Sequence, residues 1–384
     1  MTELCDVVWN GNVYYAKVKK RSKRKYKTAR RTQTQNFVKT DVNPKIPIEG
    51  EASGAVMSSS GGKRKRVTFL IGNGFDLNIG LNTRYQDFYK YYIEKNKDDM
   101  LAKDINKNYA NWSDLELGLG KYTEEVSAEK EEEFWRSEQN LENSLVDYLR
   151  DEMNKIDLDV DERRQKIKTE MTESLLEFYK KVPDYVERSI DQILSDAQKQ
   201  FFFINFNYTD ALDQCVKVIS RSNVMQYEGD DDVLHIHGMV SGSMVLGVND
   251  ESQIANQAFR NKTEYRRLLI KKDINEFCGK GNIKKACDII DASDIICIFG
   301  MSIGTTDKMW WQYIGKWLQE GDNRKLLIFA KGNMEYKVKK YSGNYGEKVK
   351  NIFRDNGELV DIWDQIESKI HVEVNADMFN FKVV

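Results

Sequence analysis

The sequence predicts an α/β fold in which a doubly wound, mostly parallel sheet carries a large helical insertion. Short apolar and β-branched runs alternate with helical patterns after residue 200, and one such run precedes a glycine turn near residue 70. Between these regions, a charge-rich stretch has helical periodicity. The 384 residues suffice for roughly two to three domains, or for one large domain with insertions.

The predicted strands are short, and several are almost wholly apolar, as expected for strands covered on both faces. They are residues 67–71, 201–206, 233–237, 244–248, 294–299 and 326–330. The helical segments between the later strands span residues 210–218, 264–277 and 307–318. This alternation favours a parallel, Rossmann-like sheet. Residues 67–97 and 201–384 together form the predicted nucleotide-binding-like α/β core.

Residues 98–200 form the predicted helical insertion. Apolar residues recur there at helical spacing, as in Phe134, Leu141, Leu145 and Tyr148. The charged residues between them form the solvated faces of the helices. We expect this insertion to cover a cleft or to serve as the interface of a homo-oligomer.

Residues 1–66 form a basic N-terminal extension, with 16 Lys and Arg against five acidic residues. Three interpretations stay open. The basic run at residues 17–31 is a nucleic-acid-binding arm, or the extension is a disordered leader, or the natural chain begins at Met57.

Composition excludes several classes of protein. The net charge of −2 is not that of a uniformly basic nucleic-acid coat. An apolar run of about 18 residues and the apolar core of a signal peptide are both missing from the sequence, so we expect a cytoplasmic protein without membrane insertion. The five cysteines form no C-x-x-C pair, and no metal site is predicted.

Four polar clusters follow predicted strands. Because the carboxyl ends of parallel strands share one edge of the sheet, where open α/β sheets bind ligands, we expect the four clusters to line one cleft. They are Gly72-Asn73-Gly74-Phe75-Asp76, Asn205-Phe206-Asn207-Tyr208-Thr209, His235-Ile236-His237-Gly238 and Gly300-Met301-Ser302-Ile303-Gly304.

The first cluster has the features of a phosphate-binding turn. Gly72, Asn73 and Gly74 follow a strand and precede a helix, so their N–H groups are candidates to hold an anion. The spacing is not G-x-G-x-x-G, and a plain tight turn is the alternative. Asp76 would repel a pyrophosphate unless it caps the helix or accepts from a ribose hydroxyl.

The second and third clusters supply the candidate catalytic groups. Asn205 and Asn207 share one face of a strand, where amides fit a cleft, and Asn207 is a candidate to orient a ribose or a water molecule. His235 and His237 are expected to face the same side, with His237 as the general base. Structural histidines held by hydrogen bonds are the alternative.

The fourth cluster predicts a second glycine turn. Gly300 and Ser302 are candidates for nucleotide contact, with Ser302 exposed and Asp307 shortly after it. Ser302 lacks a G-x-S-x-G context, so a Ser-His-Asp hydrolase is not supported.

Taken in order along the chain, these motifs resemble the AbiH family of bacterial phage abortive-infection proteins. The resemblance covers roughly residues 67–330 and extends to Trp112, Asp114 and Glu116. AbiH proteins are in turn distantly similar to sirtuin-like NAD-processing domains, whose motifs fall on Gly72, Gly74, Asn207, His237, Gly300 and Ser302. The chain departs from that pattern at Asp76 and at Thr209, which stands where the pattern has an aspartate.

The resemblance implies an antiphage effector that binds NAD or a related nucleotide as its substrate and hydrolyses it, with a phage-derived trigger. Asn207 and His237 would be catalytic, and Gly72, Asn73, Gly74, Asp76, Asn205, Gly300, Ser302 and Asp307 would bind the nucleotide. The alternative is a non-catalytic defence protein that senses a nucleotide, or that binds nucleic acid through its basic arm.

Overall fold

The structure, a computed structural model, describes residues 2–9, 12–19, 63–220, 233–278, 281–332, 334–335 and 338–384. The chain divides into two compact units, residues 1–55 and 56–384. In the first unit, β1 (Thr2–Trp9) and β2 (Asn12–Lys19) form an antiparallel hairpin. Most of the predicted basic extension, residues 20–62, lies outside the described residues.

The second unit is built on six strands and fifteen α-helices within its described residues. The strands are β3 (Lys63–Ile71), β4 (Ala197–Asn205), β5 (Val233–His235), β6 (Ile295–Phe299), β7 (Lys325–Ala330) and β8 (Ile370–Val374). The helices are α1 (Gly74–Ile79), α2 (Tyr85–Lys95), α3 (Met100–Lys107), α4 (Leu115–Tyr122), α5 (Glu131–Met153), α6 (Asp161–Leu176), α7 (Asp184–Leu194), α8 (Ala211–Ser220), α9 (Gln257–Asn261), α10 (Thr263–Leu269), α11 (Lys271–Phe277), α12 (Asn282–Asp291), α13 (Lys308–Glu320), α14 (Lys339–Asn356) and α15 (Trp363–Ile366).

All six strands are parallel, in the order β5-β4-β3-β6-β7-β8. After β3, the chain adds β4 and β5 on one side of that strand. It then crosses to the other side of β3 and adds β6, β7 and β8. This is the strand order of dinucleotide-binding Rossmann sheets, whose ligands lie where the order reverses. The predicted doubly wound α/β class is confirmed, and the reversal point lies between β3 and β6.

Both faces of the sheet are buried. Phe69 of β3 packs on one face with α6, α7 and α8, whereas Leu70 packs on the other face with α12, α13 and α14. Successive residues of β3 are thus apolar on both sides, which explains why the strands lack a polar alternation. Two layers of helices fix the sheet and leave its carboxyl edge to be closed by other segments.

A third apolar core forms a cap at one side of this sheet. Helices α2 to α5 pack there with residues from the segment 240–270, including Leu246 and Phe259. By contrast, α6 and α7 join the core of the sheet through Met171 and Ile190. The helices of residues 98–200 therefore serve two different cores. The division of the chain into three regions remains a prediction.

Several predicted elements differ from the structure. The predicted strand at 244–248 is wrong, since only Val248 forms a bridge, with Ile270, and the run is buried in the cap. The predicted helix 264–277 is two helices that meet at Ile270, whose backbone is extended. β5 ends at His235, so His237 lies beyond the strand. β8, α14 and α15 have no counterpart among the predicted elements.

Candidate functional site

The two glycine turns at the reversal point touch each other. Gly72 N–H donates to Phe299 O over 2.9 Å, and Gly74 N–H donates to Gly300 O over 2.8 Å. A Cβ on Gly74 would lie 2.4 Å from the Gly300 Cα, and Gly300 has a φ of +71°. The glycines thus permit a close backbone contact between the ends of β3 and β6. The Gly72 and Gly74 N–H groups, which were predicted to hold an anion, donate to backbone carbonyls instead.

The Asn73 side chain holds the loop that follows α1. Its Nδ2 donates to Thr83 O over 2.9 Å, and its Oδ1 accepts from Thr83 Oγ1 over 2.5 Å. This pair of bonds fixes the entry to α2, so the backbone of Arg84, the residue before α2, has a defined position beside the glycine turn.

Asp76 is buried beneath the first turn and is satisfied by two donors from the strand end after β4. Asn207 Nδ2 donates to its Oδ1 over 2.9 Å, and Thr209 Oγ1 donates to its Oδ2 over 2.6 Å. Burial raises the pKa of Asp76 to about 7, while both donors oppose the shift. Asp76 is therefore a carboxyl that can change protonation near neutral pH.

The two asparagines after β4 have different surroundings. Asn207 Nδ2 also donates to Gly72 O over 3.2 Å, which ties the strand end to the glycine turn. Asn205 Oδ1 accepts from Asn207 N–H, whereas Asn205 Nδ2 is buried without a hydrogen-bond partner among the described residues.

The two histidines contact different partners. His235 Nε2 lies 2.9 Å from Asp213 Oδ2 of α8, and its Nδ1 lies 3.3 Å from Asn207 O. His237 Nε2 lies 3.1 Å from Asp307 Oδ1, beside the fourth cluster. Because β5 ends at His235, the alternation expected of the pair does not extend to His237. The structure thus brings together His237 and Asp307.

A buried ion network, which sequence reasoning missed, surrounds this pair. Lys271 Nζ lies 2.7 Å from Glu116 Oε2 and 2.8 Å from Asp307 Oδ1. Tyr208 OH donates to Glu116 Oε1 over 3.1 Å. The network joins α4 and α11 to the turn before α13, and so links the cap to the carboxyl edge of the sheet.

Burial and neighbouring charges set the protonation of this network. Burial opposes the charge of Lys271, but Asp307 and Glu116 outweigh it and raise the pKa of Lys271. Burial likewise opposes the charge of Asp307, but Lys271 and His237 lower its pKa. For Glu116, burial prevails over Lys271 and raises the pKa to about 7. Asp307 therefore remains ionised beside His237.

A small cavity of about 10 Å³ lies between these groups, with room for about one water molecule. His237, Lys271, Asp307 and Asn275 are part of its lining. Asn275 Oδ1 is buried and has no hydrogen-bond partner in the described part of the chain. A polar cavity of this size can hold a water molecule close to His237.

Ser302 is exposed beside the second glycine turn, as predicted. A Cβ on Gly304 would lie 3.6 Å from Ser302 Oγ and 3.8 Å from Asp114 Oδ2. Gly304 thus lies close to the cap, because Asp114 is the N-cap residue that immediately precedes α4. Of the residues missed, Glu116 had appeared in the motif order, whereas Lys271 gave no signal.

Within the described ranges, no three His, Cys, Asp or Glu side chains are placed to share a metal ion. No helix of the described segments has both the length and the apolarity that a membrane crossing requires.

Comparison with known proteins agrees with the order of these motifs. The family model for bacteriophage abortive infection AbiH matches residues 68–329. That range contains the second half of β3, the cap, Lys271 and the turn before α13. A search of curated proteins gives no match. The match covers more than half of the chain, so the chain belongs to the AbiH family, which indicates a function in phage abortive infection.

Proposed function

We propose that this AbiH protein binds NAD or a related nucleotide at the carboxyl edge of its sheet and hydrolyses the bond between nicotinamide and ribose. The observation that supports this most is the convergence of polar side chains at the reversal point of a dinucleotide-type strand order. His237, Asp307, Asn207 and Asp76 come from separate segments and lie at this edge.

In this proposal His237 is the general base. Asp307 orients the ring and stabilises the imidazolium that forms as His237 takes a proton from water. The water oxygen bonds to C1′ of the ribose, and the C1′–N bond breaks with its electron pair leaving on neutral nicotinamide. Asn207 acts through Asp76 as a positioning residue, since its amide is committed to that carboxyl and to Gly72 O.

Nicotinamide release from NAD by the purified protein tests this proposal. The wild type is assayed with and without a lysate of phage-infected cells, which supplies a phage-derived trigger. His237→Ala should abolish release, and His371→Gln, which changes the histidine of β8, should retain it. Release that persists in His237→Ala, or its absence from the wild type under both conditions, would contradict the proposal.

The second candidate is a defence protein without turnover that senses a nucleotide or binds nucleic acid. The excess of Lys and Arg in residues 1–66 favours it, because such charge gives salt-dependent binding to phosphate backbones. Deletion of residues 1–56 should then abolish phage protection, whereas His237→Ala should retain it. The opposite pattern would exclude this candidate and favour catalysis.

A further inference from the structure

An open cavity of about 250 Å³ lies at the carboxyl ends of β3, β6 and β7. Gly74 and Gly300, the two touching glycines of the reversal point, are part of its wall, and Met378 belongs to its apolar lining. Arg84 and Lys331 are the charged residues in that lining, among the described residues, and no carboxylate lines the cavity there. The cavity is therefore positively charged.

No carboxylate of the described residues neutralises either cation. Arg84 and Lys331 are exposed, and in the described part of the chain neither has a carboxylate partner within ion-pair distance. Other lysines of this unit are paired, such as Lys65 with Asp294 and Lys308 with Glu358. Two unpaired cations beside one cavity attract an anion, and they do so without displacing an internal partner.

The backbones that carry these cations are held in place. Thr83, next to Arg84, forms two hydrogen bonds with the Asn73 side chain. On the other side, Tyr345 OH donates to Lys331 O over 3.2 Å. Gly332 N–H donates to Asn375 Oδ1 over 2.8 Å. Hydrogen bonds thus hold the chain on both sides of the cavity, and the long side chains of Arg84 and Lys331 extend from these held segments.

We propose that Arg84 and Lys331 bind the phosphate groups of a nucleotide in this cavity, a role that rests on the proposed function of the site. The volume is below the roughly 300–1,000 Å³ of complete small-molecule pockets, so the cavity holds a pyrophosphate and part of one nucleoside. The rest of the ligand extends beyond it.

The start of α2 connects this cavity with the ion network. Tyr85 follows Arg84 directly, and its pKa is raised by burial and then by the nearby carboxylates of Glu116, Asp114 and Asp307. Arg84 therefore lies on the cavity side and Tyr85 near Asp307. The start of α2 thus lies between the cavity and the contact of Asp307 with His237.

Titration calorimetry of the full-length chain with ADP, pyrophosphate and adenosine tests the proposal. We expect ADP and pyrophosphate to bind more tightly than adenosine, with affinity that falls as salt rises. Arg84→Gln and Lys331→Gln should each raise the Kd for ADP about tenfold, the loss of one charge-assisted contact. Lys348→Gln, which removes an exposed cation of α14, should leave it unchanged.

Three binding results would overturn the proposal: no binding of ADP by the wild type, adenosine bound as tightly as ADP, or cavity variants that bind ADP as tightly as Lys348→Gln does. Circular dichroism verifies that the variants fold. Nicotinamide release is measured separately. If Arg84 variants lose ADP while the wild type releases no nicotinamide, phosphate binding stands and hydrolysis fails. If Arg84→Gln and Lys331→Gln release nicotinamide with an unchanged KM, hydrolysis stands and the phosphate site fails.

Discussion

Replacement of Lys271 by methionine measures how strongly the buried ion network joins the cap to the sheet. Methionine keeps much of the side-chain volume and removes the charge. Lys271 lies between Glu116 of α4 and Asp307 of the turn before α13. The substitution leaves two carboxylates without their shared cation, and it changes little else in the packing.

The structure sets the size of the effect. The side chains of Lys271 and Glu116 are each 7% exposed, and that of Asp307 is 18% exposed. Removing one partner from a buried ion pair costs about 3–5 kcal/mol. Glu116 limits this loss in acid, because its pKa is about 7 and it can take up a proton. We expect the full loss at pH 8 and a smaller loss at pH 6.

Urea unfolding, followed by the fluorescence of the seven tryptophans, gives the free energy of unfolding at both pH values. Lys272→Met is the matched control, because Lys272 is exposed on the same helix and its replacement should change stability by less than about 0.5 kcal/mol. The double variant Lys271→Met/Glu116→Gln should recover part of the loss. Equal stability of Lys271→Met and Lys272→Met at pH 8 would refute the reasoning.

Two further predictions concern the glycine turn and the carboxyl beneath it. Gly74→Ala should lower the free energy of unfolding by about 1–3 kcal/mol, because its Cβ would lie 2.4 Å from the Gly300 Cα. Gly343 of α14 has open space for a Cβ, so Gly343→Ala should raise the free energy of unfolding by roughly 0.5–1 kcal/mol. Urea midpoints equal to that of the wild type would contradict the prediction for either variant. The folded pKa of Asp76 is about 7 against an ordinary 3.8, so the folded state binds the extra proton and stability falls as pH rises from about 4 to 7. Asp76→Asn should remove up to about 1.4 kcal/mol per pH unit of that slope in urea titrations at pH 5, 6 and 7, and an unchanged slope would refute the assignment.

The strands were predictable because burial on both faces makes their sequence uniformly apolar. β6 and β7 lie within one residue of their predicted bounds. β3 begins earlier than predicted, at Lys63, because residues 63–66 pair with residues 197–200 of β4, which also begins earlier than predicted. Lys65 Nζ lies 2.6 Å from Asp294 Oδ1, and Arg66 N–H donates to Asp294 Oδ2. Partners more than 100 positions away in the sequence, β4 and Asp294, thus hold this basic run as strand.

The ion network could not be predicted, because its members also lie far apart in the sequence. Lys271 sits in a helix of mixed charge, where a lysine is ordinarily solvated. Its burial arises because the segment after β5 folds onto α4, and the apolar residues at 244–248 predicted a strand there instead. His237 and Asp307 were both named from their strand ends. A parallel sheet brings these two strand ends together, so their contact could be expected. The sheet does not predict Lys271, the cation that keeps Asp307 ionised.

Asp76 and Thr209, the two positions at which the sequence departs from the expected sirtuin-like pattern, contact each other in the structure. Thr209 Oγ1 donates to Asp76 Oδ2 over 2.6 Å, so the strand end after β4 contacts a carboxyl that is carried by α1. From the sequence, an ionised Asp76 was expected to repel a pyrophosphate. Its pKa of about 7 and its burial behind Asn207 remove much of that objection, since the group can be neutral and does not face the open cavity. The positions that put the nucleotide in doubt on the sequence are thus compatible with one in the fold, and the cations that would hold its phosphates are those of Arg84 and Lys331.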